Sequence, residues 1–171
     1  DLVGGKPTRT IDLGQHSATH GIRLLPDGRR VLVTTEATAS LVVVDVASGE
    51  VERTLDVGAG TGHMVALSPD GQVAYLTKIQ AGTVSRIDLA TGARVERAAG
   101  KGAEGVAARP DGAEVWVTNR EDGTLTVHDP RTLAIRRRTG KSSHWKGPTC
   151  SKRLTAAAWP GPARPQGESA P

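Results

Sequence analysis

Short runs of β-branched and other apolar residues recur along the chain, and turn-forming or polar residues separate them. The run Val73–Thr77 follows the triplet Pro69-Asp70-Gly71, and the run Val84–Leu89 comes after a more polar loop. Strands typically have this length and composition, whereas helical hairpins need longer segments with a period of 3.6 residues. The pattern therefore predicts many short β-strands.

The strands belong to an internal repeat. The triplet Pro-Asp-Gly begins at Pro26, Pro69 and Pro110, in steps of 43 and 41 residues, and a second aspartate follows the Asp of each triplet by 18 residues. Two markers that keep the same spacing indicate a true repeat. Periods of about 40 to 45 residues are typical of propeller blades or HEAT-type helical arrays, and the short strands favour blades.

We predict four strands in each full repeat. The third strand of the first repeat contains the run Leu41–Val44, which is apolar on both faces and therefore suits a sheet covered on both sides by other sheets. Residues 9–14 match residues 53–58, so we predict that residues 7–14 form the last strand of a preceding unit. The repeat units are residues 20–58, 62–100 and 104–140.

The third repeat departs from the other two. It has Thr132-Leu133 where the others have a Ser-Gly or Thr-Gly turn, and it places His128 where the others have Val44 and Ile87. We expect a less regular blade here, but still a blade.

Residues 141–171 differ from the repeats in composition and charge. Residues 1–140 contain equal numbers of acidic and basic side chains, so the net charge of +4 comes from this segment. The segment is basic and rich in Pro and Gly, and we predict that it is disordered. A genuine flexible tail and a truncation or frame change both explain its abrupt start.

The charge distribution restricts the partners. A neutral repeat region gives no electrostatic reason to bind nucleic acid, which leaves only the basic tail, with Trp145 and Trp159 as stacking surfaces. No run approaches the roughly 18 apolar residues that a membrane span requires. Cys150 is alone, so it forms no disulfide within the chain.

The tetrapeptide Trp116-Val117-Thr118-Asn119, followed by GTLTVHD, resembles the YVTN family of β-propeller repeats. The other copies are Tyr75-Leu76-Thr77-Lys78 and Leu32-Val33-Thr34-Thr35, so only one copy keeps the Asn. The resemblance covers about residues 7–140. It implies an exported bacterial or archaeal propeller, in the periplasm or outside the cell, that works as a binding module; related propellers carry redox centres or are lactonases.

The predicted fold class is therefore all-β, a partial β-propeller of about three blades and one extra strand. Propellers close with four to eight blades. An arc of three would expose apolar sheet faces, and we expect the chain to self-associate through them.

The candidate site lies six residues before each triplet, at His20, His63 and Glu104. In a propeller, the first strand of each blade lines the central channel, so these side chains are expected at one level around the channel mouth, with His16 as a further candidate. We predict that they contact a ligand or a partner protein. Metal binding by His20 and His63 is an alternative, and capping of the strand starts is the structural alternative, because equivalent residues of adjacent blades are expected to lie well apart.

The predicted function is a non-enzymatic binding or scaffold module, and no cofactor other than a metal ion is expected. The aspartates of the Pro-Asp-Gly triplets favour turns, and no catalytic constellation has a recognisable signature in the chain. The alternative is a fragment of a propeller enzyme, a redox propeller or a lactonase, whose catalytic residues lie outside this chain.

Overall fold

The computed structural model describes residues 3–140, so the predicted tail and its Trp residues lie outside the described part of the chain. Within residues 3–140 the regular elements are all β-strands, joined by turns and loops, and no helix there could cross a membrane. The predicted all-β class and the four strands of each repeat are confirmed. The strands are β1 (Thr19–Leu24), β2 (Arg30–Thr35), β3 (Ser40–Asp45), β4 (Val51–Asp56), β5 (Val65–Leu67), β6 (Val73–Lys78), β7 (Thr83–Asp88), β8 (Arg94–Ala98), β9 (Ala103–Ala108), β10 (Val115–Asn119), β11 (Thr124–His128) and β12 (Ile135–Thr139).

Each repeat folds into one antiparallel sheet whose strands follow one another in chain order. The first sheet has the order β1-β2-β3-β4, the second β5-β6-β7-β8 and the third β9-β10-β11-β12. Short connections explain this meander, because antiparallel neighbours can be joined by tight turns. We call the face of a sheet that is turned towards the preceding repeat its front face, and the opposite face its back face.

The apolar core lies between consecutive sheets. Leu32 and Leu41 on the back face of the first sheet pack against Leu76 and Ile87 on the front face of the second, and all four are fully buried. A second cluster joins the second sheet to the third in the same way. Since each such side chain contributes about 1.5 to 3 kcal/mol on burial, contact between neighbouring repeats is what stabilises the individual sheets.

The sheets converge on the side of their first strands. Strand β1 contacts β5, and β5 contacts β9, whereas the fourth strands lie at the outer side. Each sheet thus has two ends: a turn edge, which carries the Pro-Asp-Gly turn and the turn after the third strand, and a loop edge, which carries the other connections.

Residues 7–14 form no strand, so that part of the prediction is wrong. The segment nevertheless lies against the front face of the first sheet, where Ile11 and Leu13 pack beside Val33. The Arg9 guanidinium donates to the main-chain carbonyl of Ser48 at 2.7 Å. Within residues 3–140, no strand lies beside the segment with which it could form a ladder.

The third sheet is complete, and it forms the turn after its third strand without the Gly of the other two sheets. Leu133 has a φ of 59°, in the left-handed region that Gly49 and Gly92 occupy at the equivalent positions with φ of 82° and 78°. The Leu133 side chain is fully buried between the second and third sheets, and its carbonyl accepts a hydrogen bond from Nδ1 of His128 at 2.9 Å. Burial lowers the pKa of His128, so this imidazole serves as an internal hydrogen-bonding group of the sheet.

Candidate functional site

The three side chains predicted at the channel mouth come together in space. The rings of His20 and His63 have centroids 3.8 Å apart with an angle of 34° between their planes. Nε2 of His63 lies 3.7 Å from Oε1 of Glu104. The expectation that equivalent residues of adjacent blades lie well apart is wrong, because the sheets converge at their first strands.

Hydrogen bonds from threonine side chains to the main chain of the next sheet explain this proximity. The hydroxyl of Thr34, in β2, accepts a hydrogen bond from the Gly21 amide at 2.7 Å and donates to the main-chain carbonyl of His63 at 2.8 Å. A Cβ at Gly21 would lie only 2.9 Å from that carbonyl oxygen, so the absence of a side chain permits the approach. The same threonine position repeats at Thr77, whose hydroxyl donates to the carbonyl of Glu104.

Two further charged residues enter the site from the loops after the second strands. Oε1 of Glu36 lies 2.6 Å from Nδ1 of His63, and Nε of Arg120 lies 3.7 Å from Oε2 of Glu104. Sequence reasoning did not single out either residue. A signal was present, since Glu36 and Arg120 occupy equivalent positions of their repeats, with Ile79 between them in the series. We call His20, Glu36, His63, Glu104 and Arg120 the loop-edge cluster.

The two ring nitrogens of His63 face different carboxylates. A carboxylate accepts hydrogen bonds, so Nδ1 carries a hydrogen and donates a hydrogen bond to Oε1 of Glu36. Nε2 faces Glu104 at a longer distance. The His63 side chain is 13% exposed, whereas Glu36 and Glu104 are 32% and 35% exposed. The cluster therefore has a nearly buried imidazole at its centre and carboxylates that solvent reaches at its rim.

His16 does not join this cluster. Its Nδ1 lies 3.4 Å from the Thr38 hydroxyl, and its Nε2 lies 3.2 Å from the Thr54 hydroxyl, so both ring nitrogens face the first sheet. Within residues 3–140, no group of three or more His, Cys, Asp or Glu side chains is arranged to hold a metal ion. The metal assignment to His20 and His63 stays a prediction.

The repeated aspartates have the structural role that the sequence indicated. Oδ1 of Asp27 accepts hydrogen bonds from the amides of Arg29 and Arg30, at 2.9 and 3.0 Å. Asp70 and Asp111 each accept the amide two residues further on. These carboxylates close the turns at the turn edge, away from the loop-edge cluster.

Comparison with known proteins shows the fold. The sequence matches no protein-family model and no curated protein. The structure is similar to hydrazine synthase of Kuenenia stuttgartiensis, with a TM-score of 0.67 and 22% identity over 81% of this chain. It is also similar to a chain of the mitotic checkpoint complex, with a TM-score of 0.66 and 13% identity over 77% of this chain. This chain spans 40% of the length of each. At these identities the likeness concerns the fold alone: the three four-stranded sheets are blades of a β-propeller.

Proposed function

We propose that this chain is a non-enzymatic binding module whose loop-edge cluster contacts a ligand or partner protein. The observation that carries the proposal is the meeting of His20, His63 and Glu104, contributed by three successive blades, at one partly exposed place. A site assembled from three blades has a fixed shape, because each blade is held by its packed neighbours. Rigid placement of polar side chains is what a recognition surface requires.

The chemistry of the rim favours a ligand group that donates hydrogen bonds and carries positive charge. Glu36 and Glu104 present carboxylate oxygens that solvent reaches, and His20 presents an exposed ring next to them. A guanidinium or ammonium group would form charge-assisted hydrogen bonds with these carboxylates, while its flat face or its alkyl stem would cover the imidazole. Arg120 is already 3.7 Å from Glu104 and shows that a guanidinium fits beside that carboxylate.

Titration with L-argininamide tests the proposal. We expect saturable changes in the NMR signals of the His20 and His63 rings, and we expect sodium acetate at the same ionic strength to leave them unchanged. Glu36→Gln and Glu104→Gln should each weaken binding by roughly tenfold, as loss of about 1.4 kcal/mol predicts. Glu50→Gln, at the turn edge, is the matched control and should bind like the unaltered protein. Equal weakening by all three variants would contradict the proposal.

The metal prediction has its own experiment. Stacked imidazoles at 3.8 Å are the reason to test it, because two histidines can supply two of the four ligands that Zn²⁺ usually takes. Calorimetric titration with ZnCl₂ should show binding that His20→Ala and His63→Ala each remove and that His16→Ala retains. If no heat is observed with the unaltered protein, the metal prediction is wrong.

Assignment to the YVTN repeat type, and an exported location, are part of the same proposal. They are supported by the three YVTN-like tetrapeptides, which fall on β2, β6 and β10 at equivalent positions. Periplasmic recovery of the native protein after osmotic shock of its host would support export, and recovery with cytosolic marker proteins would contradict it.

A further inference from the structure

The two outermost blade faces of the chain expose side chains that are buried at the equivalent inner positions. On the front face of the first blade, Ile22 and Leu24 are 56% and 59% exposed. The equivalent of Ile22 is Val65 in the second blade and Val106 in the third, and these are 0% and 8% exposed because a preceding blade covers them. The front face of the first blade is thus built like a face that another blade covers.

The back face of the third blade also exposes side chains that are buried at the equivalent positions of the other two blades. Trp116 is 39% exposed, whereas Leu32 and Tyr75, at the same position of the first and second blades, are 0% and 4% exposed. Thr118 is exposed as well, although the equivalent Thr34 and Thr77 are fully buried. The exposed apolar surface therefore includes a large aromatic side chain beside a polar position.

Thr118 also retains an unused donor. Its hydroxyl accepts the Gly105 amide at 2.9 Å, as the Thr34 hydroxyl accepts the Gly21 amide at 2.7 Å. Thr34 and Thr77 then donate to the first strand of the next blade, at the carbonyls of His63 and Glu104. For Thr118 no acceptor lies within residues 3–140. The equivalent carbonyl is that of His20, on the front face of the first blade.

We propose that the back face of the third blade docks on the front face of the first blade of a second copy of this chain. The junctions within the chain are the template, since they join the same two kinds of face with the same threonine hydrogen bond. Two copies supply six blades, within the four to eight with which propellers close. Two such junctions, related by a twofold axis along the ring axis, leave neither face exposed.

The segment of residues 9–14 competes with this docking. Arg53 donates to the carbonyls of Leu89 and Ala90 in the next blade, at 2.7 and 2.6 Å, and Arg9 reaches the equivalent turn of the first blade. The segment thus occupies the place that the outermost strand of a preceding blade would take. A cleft of about 640 Å³ lies beside the segment. It is lined by Ile11 and Leu13 of the segment and by Ile22, Val31, Val33 and Val44 of the first blade. Since the incoming blade has its own outermost strand, β12, docking must displace this unpaired segment.

Sedimentation velocity of the full chain across a concentration series tests the proposal. We expect a reversible species of twice the 17.8 kDa chain mass. Ile22→Lys and Trp116→Lys should each weaken the dimer by roughly tenfold or more, because each places a charge in both junctions. Thr118→Val, which keeps the side-chain shape, should weaken it less but measurably. Arg9→Ala should strengthen it, because it releases the competing segment.

Ile135→Lys is the matched control. Ile135 is 42% exposed and, like the equivalent Val51, lies on the front face of its blade. The front face of the third blade takes no part in the proposed junctions. The substitution should leave dimerisation unchanged. Circular dichroism of each variant establishes that it is folded. A chain that stays monomeric up to about 0.5 mM would overturn the proposal. A dimer that Ile135→Lys weakens as much as Trp116→Lys would do so too, and open chains larger than a dimer would overturn ring closure.

Discussion

The two edges of the sheets follow different rules. At the turn edge, the three blades repeat one solution: Asp45, Asp88 and Asp129 each accept the main-chain amide three residues further on, at 2.7, 2.8 and 2.9 Å. At the loop edge, equivalent positions carry different chemistry. The last residue of the YVTN-like tetrapeptide is Thr35, Lys78 or Asn119, and each is buried with a different set of partners.

The difference indicates that residues at the turn edge serve folding, whereas those at the loop edge are free to serve recognition. A turn that must reverse the chain has one good local solution, so the same residues recur. The loop edge has no such local demand, and its side chains are determined by contacts between strands and between blades. Variation at the buried position changes which hydrogen bonds form there. Variation at the next position, Glu36, Ile79 or Arg120, determines which blades contribute a charge to the loop-edge cluster.

The largest expected effect comes from breaking the ion pair of the second blade. Nζ of Lys78 is fully buried and donates to Glu96 at 2.7 Å and to the Ala59 carbonyl at 2.8 Å. Glu96→Ala leaves a buried ammonium group without a counter-charge. We expect the free energy of unfolding to fall by about 3 kcal/mol, measured by urea denaturation.

A double variant distinguishes lost pairing from lost packing. Lys78→Met combined with Glu96→Leu replaces both charges by apolar groups, which is often neutral for stability. The double variant should therefore be more stable than Glu96→Ala alone. If the two are equally unstable, the buried charge is not the cause.

The lowered pKa values of the aspartates at the turn edge predict that the fold loses stability in acid. The Ser48 amide and then the Arg29 guanidinium lower the pKa of Asp45 to about 2, and the Thr91 amide lowers the pKa of Asp88. A folded-state pKa below the unfolded one stabilises the fold at neutral pH. That contribution is lost as the pH falls below the ordinary value of 3.8 towards 2, so we expect the melting temperature to drop steeply in this window.

Asp88→Asn isolates one turn. It removes a charge-assisted acceptor, and we expect a melting temperature lower by roughly 2 to 4 °C at neutral pH. The variant should also lose less stability than the unaltered protein between pH 4 and pH 2. Glu50→Gln, which changes an exposed turn residue, should alter neither quantity, and an unchanged acid response in Asp88→Asn would argue against the assignment.

The smallest effect is expected at Asn119. Its Nδ2 donates to Thr124 at 3.1 Å and to Thr126 at 3.2 Å, while its buried Oδ1 has no hydrogen-bond partner within residues 3–140. Asn119→Thr, the residue of the first blade, loses these donors but also removes the unpartnered oxygen. The two terms oppose each other, so the free energy of unfolding should change by less than about 1 kcal/mol. A larger loss would mean that the Asn is required for this blade.

Most of the fold could be predicted from the sequence, because local signals and long-range spacing agreed. The apolar run Val73–Thr77 and the turn before it located β6 to within one residue of its observed bounds, Val73–Lys78. The exception is the segment of residues 9–14. Its match to residues 53–58 identified its place beside the first blade, but a strand also needs a neighbour with which to pair.

The candidate site was predicted only in part. The repeat spacing identified His20, His63 and Glu104 as equivalent residues, but spacing along the chain contains no distance between blades. Ring contact at 3.8 Å depends on how closely the first strands converge. Glu36 was missed because its partner, His63, is 27 residues away in another repeat.

The sequence by itself determined the repeat, the strands and the turns, since each depends on residues that are neighbours along one repeat. Only the tertiary structure decided which side chains of different blades meet, and which faces of the first and third blades have no other blade of residues 3–140 against them. The physical reason is that apolar packing between blades sets their separation, and that separation brings His20 to His63 and leaves Trp116 exposed.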